Sequence, residues 1–451
     1  MEEIKKYTCK CESCSREFDE EEYQITQDKN KCIFHCEKTN WEKLDENERK
    51  IRQQKFNKEF LKFCSNLKDG EIKEFHFYDT FNLLKEIDDD KFFFRQCHFH
   101  GFFHFNNYLK EHYLFLDNCF FYKGVNFFRD INSEFNFVNA CQFNNKSINL
   151  SGVFSKKLSF IGSNNINEIN CNSVVFKDDV VLSNLIVENC ADFQFTKFYK
   201  NCSFSQSRFD SIVNFNETNF IGNVNFSLFY SKCKLDLSNA VLEGQTNFLK
   251  LKVTIANRET ARIIKDSFEQ QNNIIEANKF YALEMKEREN ELEKDLKEGK
   301  NFFEWLVFKI HGLSSNHSQD WLLALYWIFI IGFISSYYDF NLIQHEGKYV
   351  HYELSSVFKT VGLIFVVLFF YCICKIKDKF VDGSYFIICF YLVYIYSTED
   401  YLLSLFSKTI NPFSVMKTND PINGIQLFFK IIITYLIYQL IISIRQNTRR
   451  K

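Results

Sequence analysis

Six thiol and imidazole donors crowd the start of the chain: Cys9, Cys11, Cys14, Cys32, His35 and Cys36. Cys11-x2-Cys14 followed by Cys32-x2-His35 has the paired-knuckle spacing of a structural zinc site, in which thiolates and imidazoles close a tetrahedron. Two substitutions within that set stay open. Cys9-x4-Cys14 can replace the first pair, and Cys36 can replace His35. The bland alternative leaves some of the six as surface thiols. A segment of some forty residues has little core of its own, so a metal would supply its folding energy. Four protein ligands leave no open coordination position, so such a zinc is structural and not catalytic.

Two further groups invite a chemical reading. Glu399 and Asp400 interrupt an apolar stretch, and acids at membrane depth often mark an ion or proton path; the simpler account is that they end the stretch in water. His98, His100, His104 and His112 could meet around a metal, but alternate residues on short strands do so by accident. Thr360-Val361-Gly362 lacks the Tyr-Gly that a potassium filter requires after it. No nucleophile–His–acid set, phosphate loop or dinucleotide fingerprint is legible, so a non-enzymatic protein is expected.

The elements that must carry these residues are set by phenylalanine, which supplies 55 of 451 residues. Phe193, Phe198, Phe204, Phe209, Phe215, Phe220 and Phe226 recur at alternating steps of five and six, an eleven-residue double step. At a background of roughly one in eight, seven prescribed positions fill by chance on the order of once in a million. Two places before each Phe sits a small or β-branched residue: Ala191, Thr196, Cys202, Ser207, Val213, Thr218 and Val224. Residues two apart on a strand share a face, so both point inward. A repeat this short holds one strand and a corner, and four such sides close a coil of about 22 residues stacked at roughly 4.8 Å.

These residues resemble the pentapeptide-repeat family, in its Phe-rich variant with five/six spacing. The resemblance is specific at 191–226 and extends over about residues 92–252 through weaker units such as Cys97/Phe99, Cys119/Phe121, Cys141/Phe143, Val174/Phe176 and Thr246/Phe248. It implies a right-handed four-sided β-helix. Clusters such as Gly162–Asn165 predict irregular coils before about 170. Cys97, Cys119, Cys141 and Cys202 occupy inward small-residue places, which reads as packing in a reducing compartment and not as disulfide bonding.

The expected organisation is a zinc-knuckle-like segment over 1–40, a helical segment and cap over 41–91, the β-helix over 92–252, a helical cap and linker over 253–318, and a transmembrane region over 319–451. Within 41–68, Leu44, Ile51, Phe60, Phe63 and Leu67 mark the expected apolar stripe of a helix. Residues 257–298 read as a helix covering the end of the coil, and 302–310 as an amphipathic stretch for a bilayer surface. Four apolar segments follow: Trp321–Phe340, Val357–Ile376, Tyr385–Phe406 and Ile425–Ile444. Each approaches the roughly 20 residues a spanning helix needs, the third being the weakest and leaving a re-entrant segment as its alternative. Lys375, Lys377, Lys379 and the Arg445–Lys451 tail, set against a lone Lys348 in the 341–356 loop, place both termini in the cytoplasm of a bacterial inner membrane. Met1 to Lys6 read as no secretory leader.

Net charge is −2, and the coil carries a slight basic excess, so neither nucleic acid nor DNA mimicry is expected. The expected partners are the bilayer, an unidentified protein on the coil surface and, compatibly, a second copy of the chain. The expected function is a membrane-anchored interaction or sensor scaffold, with an ion channel or transporter regulated by the coil as the alternative.

Overall fold

The structure, a computed structural model, describes residues 5–11, 14–26, 30–66, 71–78, 91–104, 111–139, 141–162, 164–345, 379–398, 400–411 and 423–448. The chain divides into two compact units, Met1–Gln271 and Asn272–Lys451.

The first unit is a parallel β-solenoid. One sheet stacks nine described strands from Glu71–Lys73 to Thr246–Asn247, a second runs alongside it, and a third stacks five strands from Val153–Phe154 to Val241–Leu242. The pairing steps by 22 residues in the regular part: Val180, Cys202, Val224 and Thr246 lie in register. Inward rings follow the same step. Phe176, Phe198 and Phe220 stack at 5.1 Å each, and Phe204, Phe226 and Phe248 at 5.1 and 5.3 Å. Several inward hydroxyls and thiols bond to the turn below. Thr196 and Thr218 donate to the Cys171 and Phe193 carbonyls at 2.6 and 2.7 Å, and the Cys119 and Cys141 thiols reach Phe94 and Leu116 carbonyls at 3.4 and 3.3 Å. All fourteen described cysteines are free.

The corners have a regularity of their own. Asn184, Phe195, Gln206, Glu217, Leu228, Asn239 and Lys250, spaced by eleven, take left-handed φ of 54–58°. Cβ crowding makes this conformation unfavourable for non-glycine residues. It is held by hydrogen bonds between turns: the amides of Phe195, Gln206, Glu217 and Leu228 donate to carbonyls 21 residues further on, at 2.9–3.1 Å. Before residue 170 the ladder between Gln142–Leu150 and Asn164–Asn170 slips register, the irregularity expected near Gly162.

Both ends of the coil are covered. At the C-terminal end the helix Arg258–Gln270, capped by Asn257, buries Ala261, Ile264 and Phe268, and its Thr260 hydroxyl accepts from the Leu237 amide at 2.9 Å. The helix expected over 257–298 is therefore two, broken at Asn272 with φ 56°. At the other end the helix Glu46–Ser65 buries Phe56, Phe60 and Cys64, while Ile51 is exposed. The expected stripe is met at Phe60 and Phe63 and missed at Ile51, because the buried face is drawn by Phe34, Phe75 and Phe77, whose rings make contacts of 4.6–6.4 Å among themselves and with Phe56, Phe60 and Phe63.

The second unit is helical: Ile274–Lys297, Phe302–Ser315, Trp321–His345, Lys379–Thr398, Ser404–Ile410 and Gly424–Thr448 are its described helices. Two are long and apolar enough to cross a membrane, over Trp321–Leu342 and Gly424–Gln446. The apolar segment expected at Val357–Ile376 lies outside the described residues. The third, Tyr385–Phe406, is not one helix: an apolar stretch Ile387–Thr398 ends, and a separate helix begins at Ser404 after Leu403 at φ 57°.

Candidate metal centre

The N-terminal donors are assembled by short local elements. Tyr7–Thr8 pairs antiparallel with Glu17–Phe18, and the Cys9 amide donates to the Arg16 carbonyl at 2.9 Å. A tight turn follows at 32–36, where the amides of His35 and Cys36 both donate to the Cys32 carbonyl at 3.0 Å. This brings one ligand atom each from Cys9, Cys14, Cys32 and His35 within 4.8 Å of one another. Cys14 Sγ and Cys32 Sγ are 4.0 Å apart, and Cys32 Sγ lies 3.2 Å from His35 Nδ1. A tetrahedral ion with bonds of about 2.3 Å to sulfur and about 2.0 Å to nitrogen would set sulfurs about 3.8 Å apart and sulfur from nitrogen about 3.5 Å. The group could therefore hold a metal ion with small adjustments.

The surroundings fit the same reading. The Cys32 amide points at Cys9 Sγ, 3.4 Å away, as a backbone donor would toward a thiolate. His35 Nε2 lies 3.3 Å from the Lys73 carbonyl, which leaves Nδ1 facing the sulfurs, the outer-shell arrangement that fixes a ligating imidazole. Metal-free, the thiols hold one another unequally. The Cys14 hydrogen bond, aided by burial, pushes Cys32 up to about 11, while Cys14 is lowered by that same bond. A bound cation reverses such a preference by stabilising thiolate.

Of the residues singled out by spacing, the structure brings Cys14, Cys32 and His35 together, with Cys9 as the fourth. Cys11 lies outside the group; its carbonyl accepts from the Cys14 amide at 3.2 Å, and burial raises its thiol to about 12. Cys36 is also outside, its thiol 3.6 Å from the Ile33 carbonyl.

The histidines do not form one cluster. His98 and His100 join His76, which the spacing argument missed, in a ladder against Phe120 and Tyr122. His76 stacks on His98 at 4.4 Å, His98 on Phe120 at 4.6 Å and His100 on Tyr122 at 4.8 Å, and His76 Nδ1 meets His100 Nε2 at 2.9 Å. The 22-residue register between His76 and His98 was the signal that could have found it. His104 packs on Phe102 and Phe128 instead, and the His112 amide bonds Ser133 Oγ. Burial lowers His76 to about 2 and His100 to about 3. Histidines lowered in the fold take up protons more readily when unfolded. Their stability is therefore full above about pH 6.5 and lost as pH falls toward 3. The expected loss at pH 5 is about 2 kcal/mol per histidine, taken jointly because the two are hydrogen-bonded. Urea midpoints between pH 7 and 5 should show it, and His76→Phe with His100→Phe should flatten the profile. An unchanged acid profile in that double variant would refute the assignment.

Glu399 lies outside the described residues. Asp400 is fully engaged by the protein: it accepts from Tyr394 Oη at 2.7 Å and from the amides of Ser404, Leu405 and Phe406 at 2.8, 3.0 and 3.4 Å. The carboxylate thus caps the Ser404–Ile410 helix. A polar cluster unforeseen in the sequence lies elsewhere in this unit. His317 Nδ1 is 3.3 Å from His311 Nδ1, His311 Nε2 is 3.1 Å from Ser318 Oγ, and Ser318 and Ser315 both donate to Gln439 at 3.1 Å.

Residues 182–227 match the family model described as pentapeptide repeats (9 copies). That stretch is the regular part of the solenoid, so match and fold support each other for a pentapeptide-repeat protein. Comparison with curated proteins gives no match, and neither does comparison with solved structures.

Proposed function

We propose that this chain is a non-catalytic, membrane-anchored scaffold: a four-sided pentapeptide-repeat coil in the cytoplasm of a bacterium, tethered to the inner membrane by a multi-pass helical region with both termini inside. The observation that carries the anchor is an inverted polarity in the second unit. Only 33% and 28% of the residues in its two long apolar windows are buried. Ile334, Ile431, Tyr438 and Ile441 face outward, while Ser335, Ser336, Gln439 and Ser443 are buried. In water the reverse is the rule, and polar groups turned inward from an apolar exterior suit lipid. Phe302, Phe303, Leu306 and Val307, all exposed on Phe302–Ser315, suit the bilayer surface. Four spanning helices complete the reading, the second from the Val357–Ile376 segment.

The metal of the N-terminal group is zinc, bound by Cys9, Cys14, Cys32 and His35, whose soft donors and closed tetrahedron favour it. Its role is structural. The stacked faces of the coil present an extended surface for a protein partner. Asp400, occupied as a helix cap, offers little to an ion path, which leaves the channel reading without a carrying observation. Full-length protein should stay with membranes through alkaline extraction and pass no current in planar bilayers. Release into the soluble fraction would overturn the anchor, and a single-channel current would overturn the scaffold.

A further inference from the structure

Lys38 is completely buried. Its ammonium donates to the Ile33 and Cys36 carbonyls at 2.7 and 3.3 Å, sits 4.0 Å from Cys36 Sγ, and lies over the rings of Phe56 and Trp41 at 4.8 and 5.3 Å. Among the described residues no carboxylate pairs with it. The carboxylate acting on it, Glu22, does so through space and not as an ion pair, since its Oε1 is taken by Arg16 at 2.5 Å and by the Ile33 amide at 2.8 Å. A buried ammonium whose direct hydrogen-bond partners are all neutral is costly, and such charges are kept where an opposite charge answers them. The turn that Lys38 grips, 32–36, carries Cys32 and His35, two of the four donors brought together. A divalent ion held by three thiolates and one neutral imidazole has a net charge of −1.

We propose that Lys38 is the buried counter-ion of an anionic metal centre and the positioning residue for its second knuckle, an inference that rests on the metal reading of Cys9, Cys14, Cys32 and His35. It does not ligate. Its hydrogen bond to the carbonyl of Ile33, between the two ligands, fixes the turn, and its charge offsets the centre that forms when metal enters.

The test is zinc competition against a chromophoric chelator on the full chain in detergent, for wild type, Lys38→Met and Lys38→Arg. Lys38→Met keeps the stem and removes the charge. It should still bind one zinc per chain, about tenfold or more weakly, in the range that outer-shell substitutions produce. Cobalt substituted for zinc should give the same tetrahedral thiolate spectrum in both chains, showing that the ligands are unchanged. Lys38→Arg should lie between the two. Affinity in Lys38→Met within twofold of wild type would overturn the proposal. If Lys38→Met does not fold, Lys38→Arg decides: near-wild-type affinity supports the charge, and loss of zinc in a folded chain overturns it. A wild-type chain that binds neither zinc nor cobalt would instead remove the metal reading itself.

Discussion

If the N-terminal group holds zinc as proposed, chelation at neutral pH is expected to unfold the turns that carry Cys9, Cys14, Cys32 and His35 while the coil survives. The module's own core is small: among the described residues, Phe18, Ile33 and Phe34 are its large buried apolar residues besides the thiols. Binding energy of a structural zinc, on the order of 10 kcal/mol at pH 7, is folding energy in such a segment. Hydrogen exchange should report the loss directly. The amides of Cys9, Cys32, His35 and Cys36 are tied to backbone or sulfur in the folded module and should lose protection. Amides between Val180 and Phe248, bonded from turn to turn, should keep theirs. The first turn of the coil should loosen next, because Phe34 stacks on Phe75 at 4.6 Å and its carbonyl accepts from the His76 amide at 2.7 Å. Protection left unchanged by a strong chelator would show that the four donors do not depend on metal.

The second large effect is expected at Phe204. Its ring meets Phe193 at 5.3 Å and Phe215 and Phe226 at 5.1 Å each, fully out of solvent. Phe204→Ala should cost about 3–5 kcal/mol, since neighbouring turns are held by hydrogen bonds and cannot close the gap. Phe195→Ala is the internal control. That ring is 44% exposed at a corner, and its loss should cost under about 1 kcal/mol. Denaturation midpoints that do not separate the two variants would contradict the inward assignment.

The contrast between these two phenylalanines also shows what could be read from the chain. Phe204 was legible because inward side chains must recur with the geometry of the turn, whatever lies between them. Phe195 carried no signal. Its left-handed φ of 58° is imposed by the amide bond to Asn216, so Phe, Gln, Glu and Leu fill equivalent corners. Ligand spacing singled out Cys14 and Cys32 but left Cys9 against Cys11 and His35 against Cys36 open, since each fits a knuckle and only the folded turns, such as the pairing of Tyr7–Thr8 with Glu17–Phe18, group Cys9 and His35 with the other two. Lys38 was illegible because lysine is among the residues least often buried. The helix Glu46–Ser65 and the burial of its Phe60 were legible, but not the rest of its buried face, because partners from distant segments chose Phe56 over Ile51.

The 22-residue step gives the coil a quantised length. Each added or removed turn leaves every inward column in phase, as Val180, Cys202, Val224 and Thr246 are, and changes the height by one strand spacing of about 4.8 Å. A change of eleven residues keeps the local pattern of Phe and small residues yet carries the chain onto a different side. In the regular part of the coil, length is therefore added or removed most readily as a ladder gains or loses rungs. Along that part the height is a counted distance, a whole number of strand spacings.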